Sequence, residues 1–259
     1  MTTMLRGGRR MLGRRARTLC AAGLGVLLGV SASAAAQVSP PPSGVEARAA
    51  AEAKDTRELV VLVHGMGRSP ASMWLLARRL EADGYRVLNF GYPSTRGTVA
   101  ELGARLARRA GQRTGAAPRV HFIGHSLGTV VIRSMLAQDP PERMGRVVML
   151  APPNQGASAA DRWAPHLGSM MPAIRELRTT PESTARTLVL PEGVDVGIIA
   201  GARDRKVRVA ETYLPGARDH VVVNGFHSFL MNRTDVHLLI ARFLRNGRFS
   251  TAAPSASGR

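Results

Sequence analysis

The chain has 259 residues, of which 44% are apolar and 21% charged, so it can form one sizeable domain with a buried core and is not expected to be disordered. Its formal net charge of +18 could attract nucleic acid or an anionic membrane surface. The excess is nearly all arginine, dispersed along the chain without a nucleic-acid-binding motif. We therefore expect no nucleic-acid partner, while peripheral contact with an anionic membrane is left open.

The first 36 residues have the order of a secretory signal peptide. Residues 1–17 are basic, residues 18–30 are apolar and small, and A-x-A cleavage sites end at Ala34 or Ala36. The apolar run is too short to favour a membrane-spanning anchor. We expect export to the periplasm or the extracellular space, by the Sec or the Tat route, and a Pro-, Ala- and Ser-rich linker at 37–56.

The only cysteine, Cys20, lies inside the segment that we expect to be removed. The mature chain would then have no thiol for a disulfide, a metal site or a nucleophile. The sequence also has no acidic cluster that would suggest a calcium site. We expect neither a cofactor nor a metal.

Apolar runs alternate with amphipathic stretches from residue 59 onward. The elements predicted in chain order are a strand at 59–63, a helix from Pro70 to Ala82 capped by Ser69, a strand at 85–90, a helix at 99–113, a strand at 120–123, a helix at 127–138, strands at 146–150, 194–199 and 221–223, and a helix at 236–244. This alternation predicts an α/β fold with a mainly parallel sheet and helices on both faces. Ligands in such folds bind beyond the carboxyl ends of the strands, so we expect the chemistry on the loops there.

We expect one folded domain at 57–248 and a disordered tail at 249–259. Residues 155–191 break the alternation, with weak helical periodicity around Trp163. Long insertions in compact domains are usually functional loops or lids, so we expect a short cap over the site. Trp163 is a candidate for an apolar substrate pocket, although tryptophan more often fills a core.

A Gly-His-Ser-Leu-Gly run at 124–128 follows a predicted strand and opens a predicted helix. This is the G-x-S-x-G nucleophile pattern in the strand–turn–helix context that it requires. The turn strains the serine backbone, and the flanking glycines leave room for the neighbouring chain. We expect Ser126 to be the nucleophile; the alternative is a glycine-rich turn that only packs a helix on the sheet.

Acyl transfer needs two hydrogen-bond donors aimed at the developing oxyanion. The turn itself supplies the backbone N–H of Leu127. A His-Gly-Met-Gly run at 64–67 follows the first strand, and we assign the second donor to the backbone N–H of Met66. For His64 we favour a structural histidine that bonds the loop backbone, and it is also a candidate for the pocket wall.

A serine hydroxyl needs a base within hydrogen-bond reach, and the base needs an orienting acid. Of the seven histidines, His227 follows a strand just before the final helix, where a loop can reach the nucleophile. Asp204 follows the strand at 194–199 and is the favoured acid. Asp219 and Asp195 lie at the wrong ends of their strands, and Glu211 is expected to be helical and exposed.

These motifs resemble the small bacterial lipases and esterases of the α/β-hydrolase superfamily, including those whose oxyanion loop reads His-Gly-Met. The resemblance spans residues 58–246 and implies a triad of Ser126, Asp204 and His227. It also implies that the runs at 91–94 and 151–156 border the acyl pocket, which makes Tyr92 and Asn154 pocket candidates. The chain lacks the cysteines of disulfide-stapled secreted lipases.

The sequence therefore predicts a serine carboxylic ester hydrolase acting on a small-molecule or lipid ester. An acyltransferase or amidase could use the same covalent intermediate. A non-catalytic binding protein on the same scaffold is the third hypothesis, since fold does not fix function. The acyl length, the alcohol group and the oligomeric state are left open.

Overall fold

A computed structural model of the chain describes residues 55–250. The segment at 1–36 that we predict to be a signal peptide, nearly all of the linker predicted at 37–56, and residues 251–259 of the predicted tail lie outside the described residues. Within them, no helix is long and apolar enough to cross a membrane.

Strands and helices alternate along this part of the chain. The strands are β1 (Leu59–Val63), β2 (Arg86–Phe90), β3 (Val120–His125), β4 (Met144–Leu150), β5 (Val196–Gly201) and β6 (Asp219–Val223). The helices are α1 (Trp74–Ala82), α2 (Val99–Thr114), α3 (Leu127–Gln138), α4 (Ser158–Leu167), α5 (Pro172–Glu176), α6 (Thr184–Thr187) and α7 (Thr234–Asn246). Three single 3₁₀ turns lie at Pro70–Met73, Val209–Thr212 and His227–Asn232.

The six strands form one sheet in the order β2-β1-β3-β4-β5-β6, and every neighbouring pair is parallel. The prediction of a mainly parallel α/β sheet is thus confirmed. Every residue of the apolar run in β1 is buried, because this strand lies inside the sheet and is covered on both faces. At the edge, β6 alternates between half-buried and exposed residues.

Helices cover both faces of the sheet, and the sheet separates two apolar cores. Helices α2 and α3 pack on one face, where Leu102, Leu106 and Val131 join the side chains of β1 and β3. Helices α1 and α7 pack on the other face, through Leu76 and Ile240 among others. The order of the strands changes direction between β1 and β3, so the loops after these two strands diverge and open a crevice.

Two local predictions differ from the structure. The helix expected from Pro70 begins as a 3₁₀ turn, and the Ser69 side chain makes no capping hydrogen bond. Phe249, assigned to the tail, is buried: its ring lies 4.9 Å from that of Phe243, and its N–H donates to Asp219. An aromatic ring so close to the final helix gains more from burial in the core than from exposure.

Candidate active site

Ser126 lies at the turn between β3 and α3 with φ 53° and ψ −123°, a conformation that costs a non-glycine residue energy. The two flanking glycines make this turn sterically feasible. A Cβ on Gly124 would lie 2.7 Å from the Thr129 nitrogen, and one on Gly128 would overlap the Val63 carbonyl oxygen. The serine hydroxyl is thereby presented at the carboxyl end of the central strand.

His227 lies between the serine and a carboxylate. Its Nε2 is 3.0 Å from Ser126 Oγ, and its Nδ1 is 2.6 Å from Asp204 Oδ2. Because the carboxylate can only accept, Nδ1–H donates to it, and Nε2 is left with a lone pair facing the serine hydroxyl. This is the arrangement in which a histidine can remove a proton from a serine.

The turn after β5 holds Asp204 from two sides. Its Oδ1 accepts the backbone N–H groups of Lys206 and Val207 at 2.8 and 2.9 Å, while the side chain is fully buried. The loop that follows β6 is tied to this turn, since the Arg203 N–H donates to the Gly225 carbonyl at 3.1 Å. A backbone hydrogen bond therefore joins the two turns that present Asp204 and His227.

The loop after β1 lies directly against the nucleophile turn. A Cβ on Gly65 would lie 3.2 Å from the Ser126 Cβ, so only glycine permits this approach. The backbone N–H groups of Met66 and Leu127 donate to no other residue described in the structure, and Leu127 is the first residue of α3. Free amides and the positive end of a helix dipole favour a developing negative charge here.

An open cleft of about 380 Å³ begins at Ser126 and His227. Its walls are largely apolar and come mainly from the segment at 155–191, with contributions from the loops after β1, β4 and β5. They include Met66, Pro153, Ala157, Ala160, Trp163, Leu167, Met171, Ile174, Leu177 and Val207. Trp163, a predicted pocket residue, lies on this wall and is half exposed.

The other three pocket candidates do not line the cleft, and this part of the prediction is corrected. His64 is buried, its Nδ1–H donates to the Gly65 carbonyl at 3.0 Å, and burial lowers its pKa. Tyr92 stacks on the His64 ring and donates its hydroxyl to the His64 carbonyl at 2.6 Å. Both side chains support the loop after β1 from behind, because His64 Nδ1 and the Tyr92 hydroxyl bond its carbonyl groups, while His64 Nε2 is buried without a hydrogen-bond partner among the described residues.

Asn154 is likewise fully buried, behind the cleft wall. Its Nδ2–H donates to the Thr212 carbonyl at 2.8 Å, and its Oδ1 accepts from Arg133 at 3.2 Å. Arg133 also donates to the carbonyl groups of Ala185 and Leu188, and its burial lowers the guanidinium pKa to about 10. A buried cation that has no acidic partner among residues 55–250 is thus held by the Asn154 side chain and by two backbone carbonyl groups of the segment at 155–191.

Glu211 was expected to be exposed, and it is buried. Its carboxylate accepts the backbone N–H and the hydroxyl of Ser158 at the start of α4, and also the N–H of Arg208. The free amide groups at the start of a helix attract a carboxylate. The two residues are 53 positions apart in the sequence, so the sequence pattern does not predict their contact.

Sequence reasoning did not assign a role to His125. Its Nε2–H donates to the His227 carbonyl at 2.8 Å, and the two rings lie 4.8 Å apart. Burial is the largest cause that lowers its pKa, to about 3, so the ring is neutral. The only available signal was its place next to the serine, which says nothing about a partner 102 residues away.

The rejected acids lie away from the cleft. Asp195 pairs with Arg146 and Arg218 before β5 begins, and Asp219 is the first residue of β6. Among residues 55–250, no group of three or more His, Cys, Asp or Glu side chains is arranged to hold a metal ion.

Comparison with known proteins points to one family. A sequence model described as "Alpha/beta hydrolase family" matches residues 60–250. No curated protein matches the sequence significantly.

Solved structures share the fold at low sequence identity. Lipase BlEst2 of Bacillus licheniformis in its mature form is 17% identical with a TM-score of 0.59, over 74% of this chain and 92% of that one. A pyrethroid hydrolase from Sphingobium faniae JZ-2 is 17% identical with a TM-score of 0.54, over 73% and 98%. The Pyrococcus furiosus esterase Pf2001 is 19% identical with a TM-score of 0.50, over 73% and 83%. At identities this low, the similarity shows a shared fold and nothing further.

Proposed function

Because the chain belongs to the alpha/beta hydrolase family, we propose that it is a serine carboxylic ester hydrolase, an esterase or lipase that forms an acyl-enzyme on Ser126. One observation carries the proposal. Ser126 Oγ, His227 and Asp204 form a continuous chain of hydrogen bonds at 3.0 and 2.6 Å, and it opens into an apolar cleft. A serine, a base and an orienting acid in this order are the parts that acyl transfer needs.

In the first half-reaction, Ser126 Oγ attacks the ester carbonyl carbon while His227 Nε2 takes the hydroxyl proton. Asp204 keeps the proton on Nδ1 and stabilises the imidazolium that forms. The carbonyl oxygen becomes an oxyanion, which the N–H groups of Met66 and Leu127 bind. Each such donor is typically worth about 3 kcal/mol of barrier. The imidazolium then protonates the departing alcohol oxygen.

In the second half-reaction, His227 takes a proton from water as the water oxygen attacks the acyl carbon. The second tetrahedral oxyanion is bound by the same two amides. When it collapses, the bond to Ser126 Oγ breaks, the imidazolium returns the proton to the serine, and the carboxylic acid leaves.

The cleft walls support a substrate with a hydrocarbon portion, as a small-molecule or lipid ester has. We propose that the segment at 155–191 acts as the cap of this cleft, since its residues 157–177 supply most of the apolar lining. Pockets of this size and polarity are typical of small-molecule sites.

We further propose that the enzyme acts outside the cytoplasm. The basic, apolar and small-residue order of residues 1–36 supports removal of a signal peptide, followed by the linker at 37–56 and the catalytic domain from residue 57. N-terminal sequencing of the protein recovered outside the cytoplasm would test this: a first residue near 35 or 37 is expected, and an intact Met1 would contradict it.

Replacing Ser126 with alanine tests the proposed chemistry. We expect the Ser126→Ala variant to lose p-nitrophenyl butyrate hydrolysis by about 10⁴-fold or more, because the nucleophile is gone. A fluorophosphonate probe should label the wild type and not this variant. Ser134→Ala is the matched control, since Ser134 lies on the same helix with its hydroxyl bonded to Gln138. Undiminished hydrolysis by Ser126→Ala would overturn the mechanism.

A further inference from the structure

Lys206 is the one charged side chain on the cleft wall besides the proposed base, among the residues that the structure describes. Its side chain is exposed, and it lines the same cleft as Ser126 and His227. Its backbone N–H donates to Asp204 Oδ1 at 2.8 Å. The carboxylate that orients the base therefore also sets the position of this lysine at the mouth of the cleft.

The Lys206 ammonium forms no ion pair with any residue between 55 and 250. The acidic groups behind the neighbouring wall are engaged elsewhere. Asp161 accepts from Thr179 and pairs with Arg178 at 3.4 Å, and Glu211 accepts from the start of α4. The Lys206 ammonium at the cleft mouth is therefore not paired with a described carboxylate, since the adjacent Asp204 carboxylate is engaged by backbone N–H groups and by His227.

A second cation strengthens this field. Arg68 follows the oxyanion loop and is exposed, and it too makes no ion pair with a described residue. Burial is the largest cause of the lowered pKa of His125, and the charge of His227 is the next. Arg68 and Lys206 lower this pKa further. Both cations therefore act on the residue next to Ser126, and a cation beside a cleft concentrates ligands of the opposite sign.

The residue type at 206 is also informative. The chain has 36 lysines and arginines, of which only Lys54 and Lys206 are lysines. Arginine presents a planar fork, whereas lysine is a compact charge on a flexible stem. A lysine at the cleft can follow an anionic group of the substrate into different positions without demanding bidentate geometry.

We propose that Lys206 selects esters that carry a carboxylate a short distance from the scissile carbonyl, with the hydrocarbon part of the substrate against the apolar wall. This inference rests on the proposed ester hydrolase function. It assigns to the open cleft a substrate that is amphipathic: apolar along the α4 side and negatively charged beside Lys206.

The test compares kcat/KM for anionic esters with that for neutral isosteres at low ionic strength. One pair, p-nitrophenyl hemisuccinate and p-nitrophenyl pentanoate, places the charge on the acyl side. The other, 4-carboxyphenyl butyrate and phenyl butyrate, places it on the alcohol side. In the pair that matches the true substrate, we expect Lys206→Met to lower the anionic-to-neutral ratio of kcat/KM roughly three- to tenfold. A loss of this size lies between the effect of removing an exposed ion pair and that of removing a charge-assisted hydrogen bond.

Matched variants separate Lys206 from general charge effects. Lys206→Glu should lower the ratio further, and Lys206→Arg should retain most of it. Arg205→Met removes an exposed neighbouring charge that does not line the cleft, and should leave the ratio unchanged. Raising the ionic strength to about 1 M shortens the screening length to about 3 Å and should reduce the wild-type ratio towards that of Lys206→Met.

The outcomes are distinguishable. If wild type and Lys206→Met give the same ratio in both pairs while the neutral esters are hydrolysed, the anion selection is wrong and the hydrolase proposal stands. If Arg205→Met lowers the ratio as much as Lys206→Met, a diffuse field and not Lys206 is responsible, and the proposal fails. If the wild type hydrolyses none of the four esters, the proposed function itself is overturned.

Discussion

At the level of single residues, His125 joins three loops that the proposed chemistry needs. It precedes Ser126, its Nε2–H bonds the carbonyl of His227, and its ring fills the space that a Cβ on Gly65 would enter at 2.9 Å. Its Nδ1 is buried without a hydrogen-bond partner in the described structure. We interpret His125 as a positioning residue that acts through the backbone of His227.

Replacing His125 should separate its hydrogen bond from its volume. His125→Leu leaves the buried His227 carbonyl without a donor, and we expect roughly a tenfold loss of kcat, or about 1.4 kcal/mol, with little change in KM. His125→Gln keeps a donor near the Nε2 position and should recover part of the loss. The measurement is steady-state hydrolysis of p-nitrophenyl butyrate with thermal melts of each variant, and a folded His125→Leu variant of wild-type kcat would contradict the interpretation.

At the level of elements, the close packing of α3 against β1 positions Ser126, the proposed nucleophile. A Cβ on Gly128 would overlap the Val63 carbonyl oxygen and lie 2.7 Å from that of His64. These are backbone atoms inside a sheet, so they cannot give way as a flexible side chain could. The start of α3 can approach β1 this closely only because residue 128 has no side chain.

Gly128→Ala should therefore destabilise the fold by about 1–3 kcal/mol, the usual cost of overpacking a core, and also lower hydrolysis because the Leu127 amide shifts. Gly111→Ala is the matched control, since Gly111 lies inside helix α2 with open space around its Cβ. That change should stabilise the protein by about 0.5–1 kcal/mol. Urea unfolding measures both, and equal effects of the two substitutions would show that the packing argument is wrong.

At the level of the whole molecule, buried neutral histidines couple stability to pH. The pKa values of His64, His121 and His125 are all lowered, with burial as the largest cause in each. In the unfolded chain these three histidines are protonated near pH 6.5, whereas in the folded protein they are protonated only at lower pH. Their contribution to stability is therefore complete above pH 6.5 and is lost as the pH falls towards the folded pKa values.

We expect the free energy of unfolding to fall between pH 6.5 and pH 4, by about 3 kcal/mol from His125 alone, given its folded pKa of about 3. Denaturant titrations across this range measure the slope. The His125→Gln variant lacks this group and should show a flatter profile than the wild type. A stability that is constant from pH 6.5 to 4 would contradict the prediction.

The net charge of +18 also belongs to this scale. Peripheral contact with an anionic membrane stays a prediction, which vesicle binding with and without anionic lipid would measure. High salt should weaken both this binding and the local effect of Lys206, since it screens exposed charges.

The sequence by itself determined the α/β class, the parallel sheet and the order of the candidate catalytic residues. These follow from local features: fully apolar strand runs such as 59–63, glycines on both sides of Ser126, and polar residues directly after strands. Burial of a strand and steric strain at a turn depend mostly on nearby residues, and the sequence pattern therefore carries them. The catalytic roles themselves stay predictions until activity is measured.

Only the tertiary structure decided which side chains face the cleft. His64, Tyr92 and Asn154 stand on loops that border it, yet each turns inward to a backbone partner. Glu211 and His125 likewise find partners 53 and 102 residues away. A buried polar side chain points towards a group with which it can form a hydrogen bond. That group comes within reach only when elements distant in the sequence have packed together.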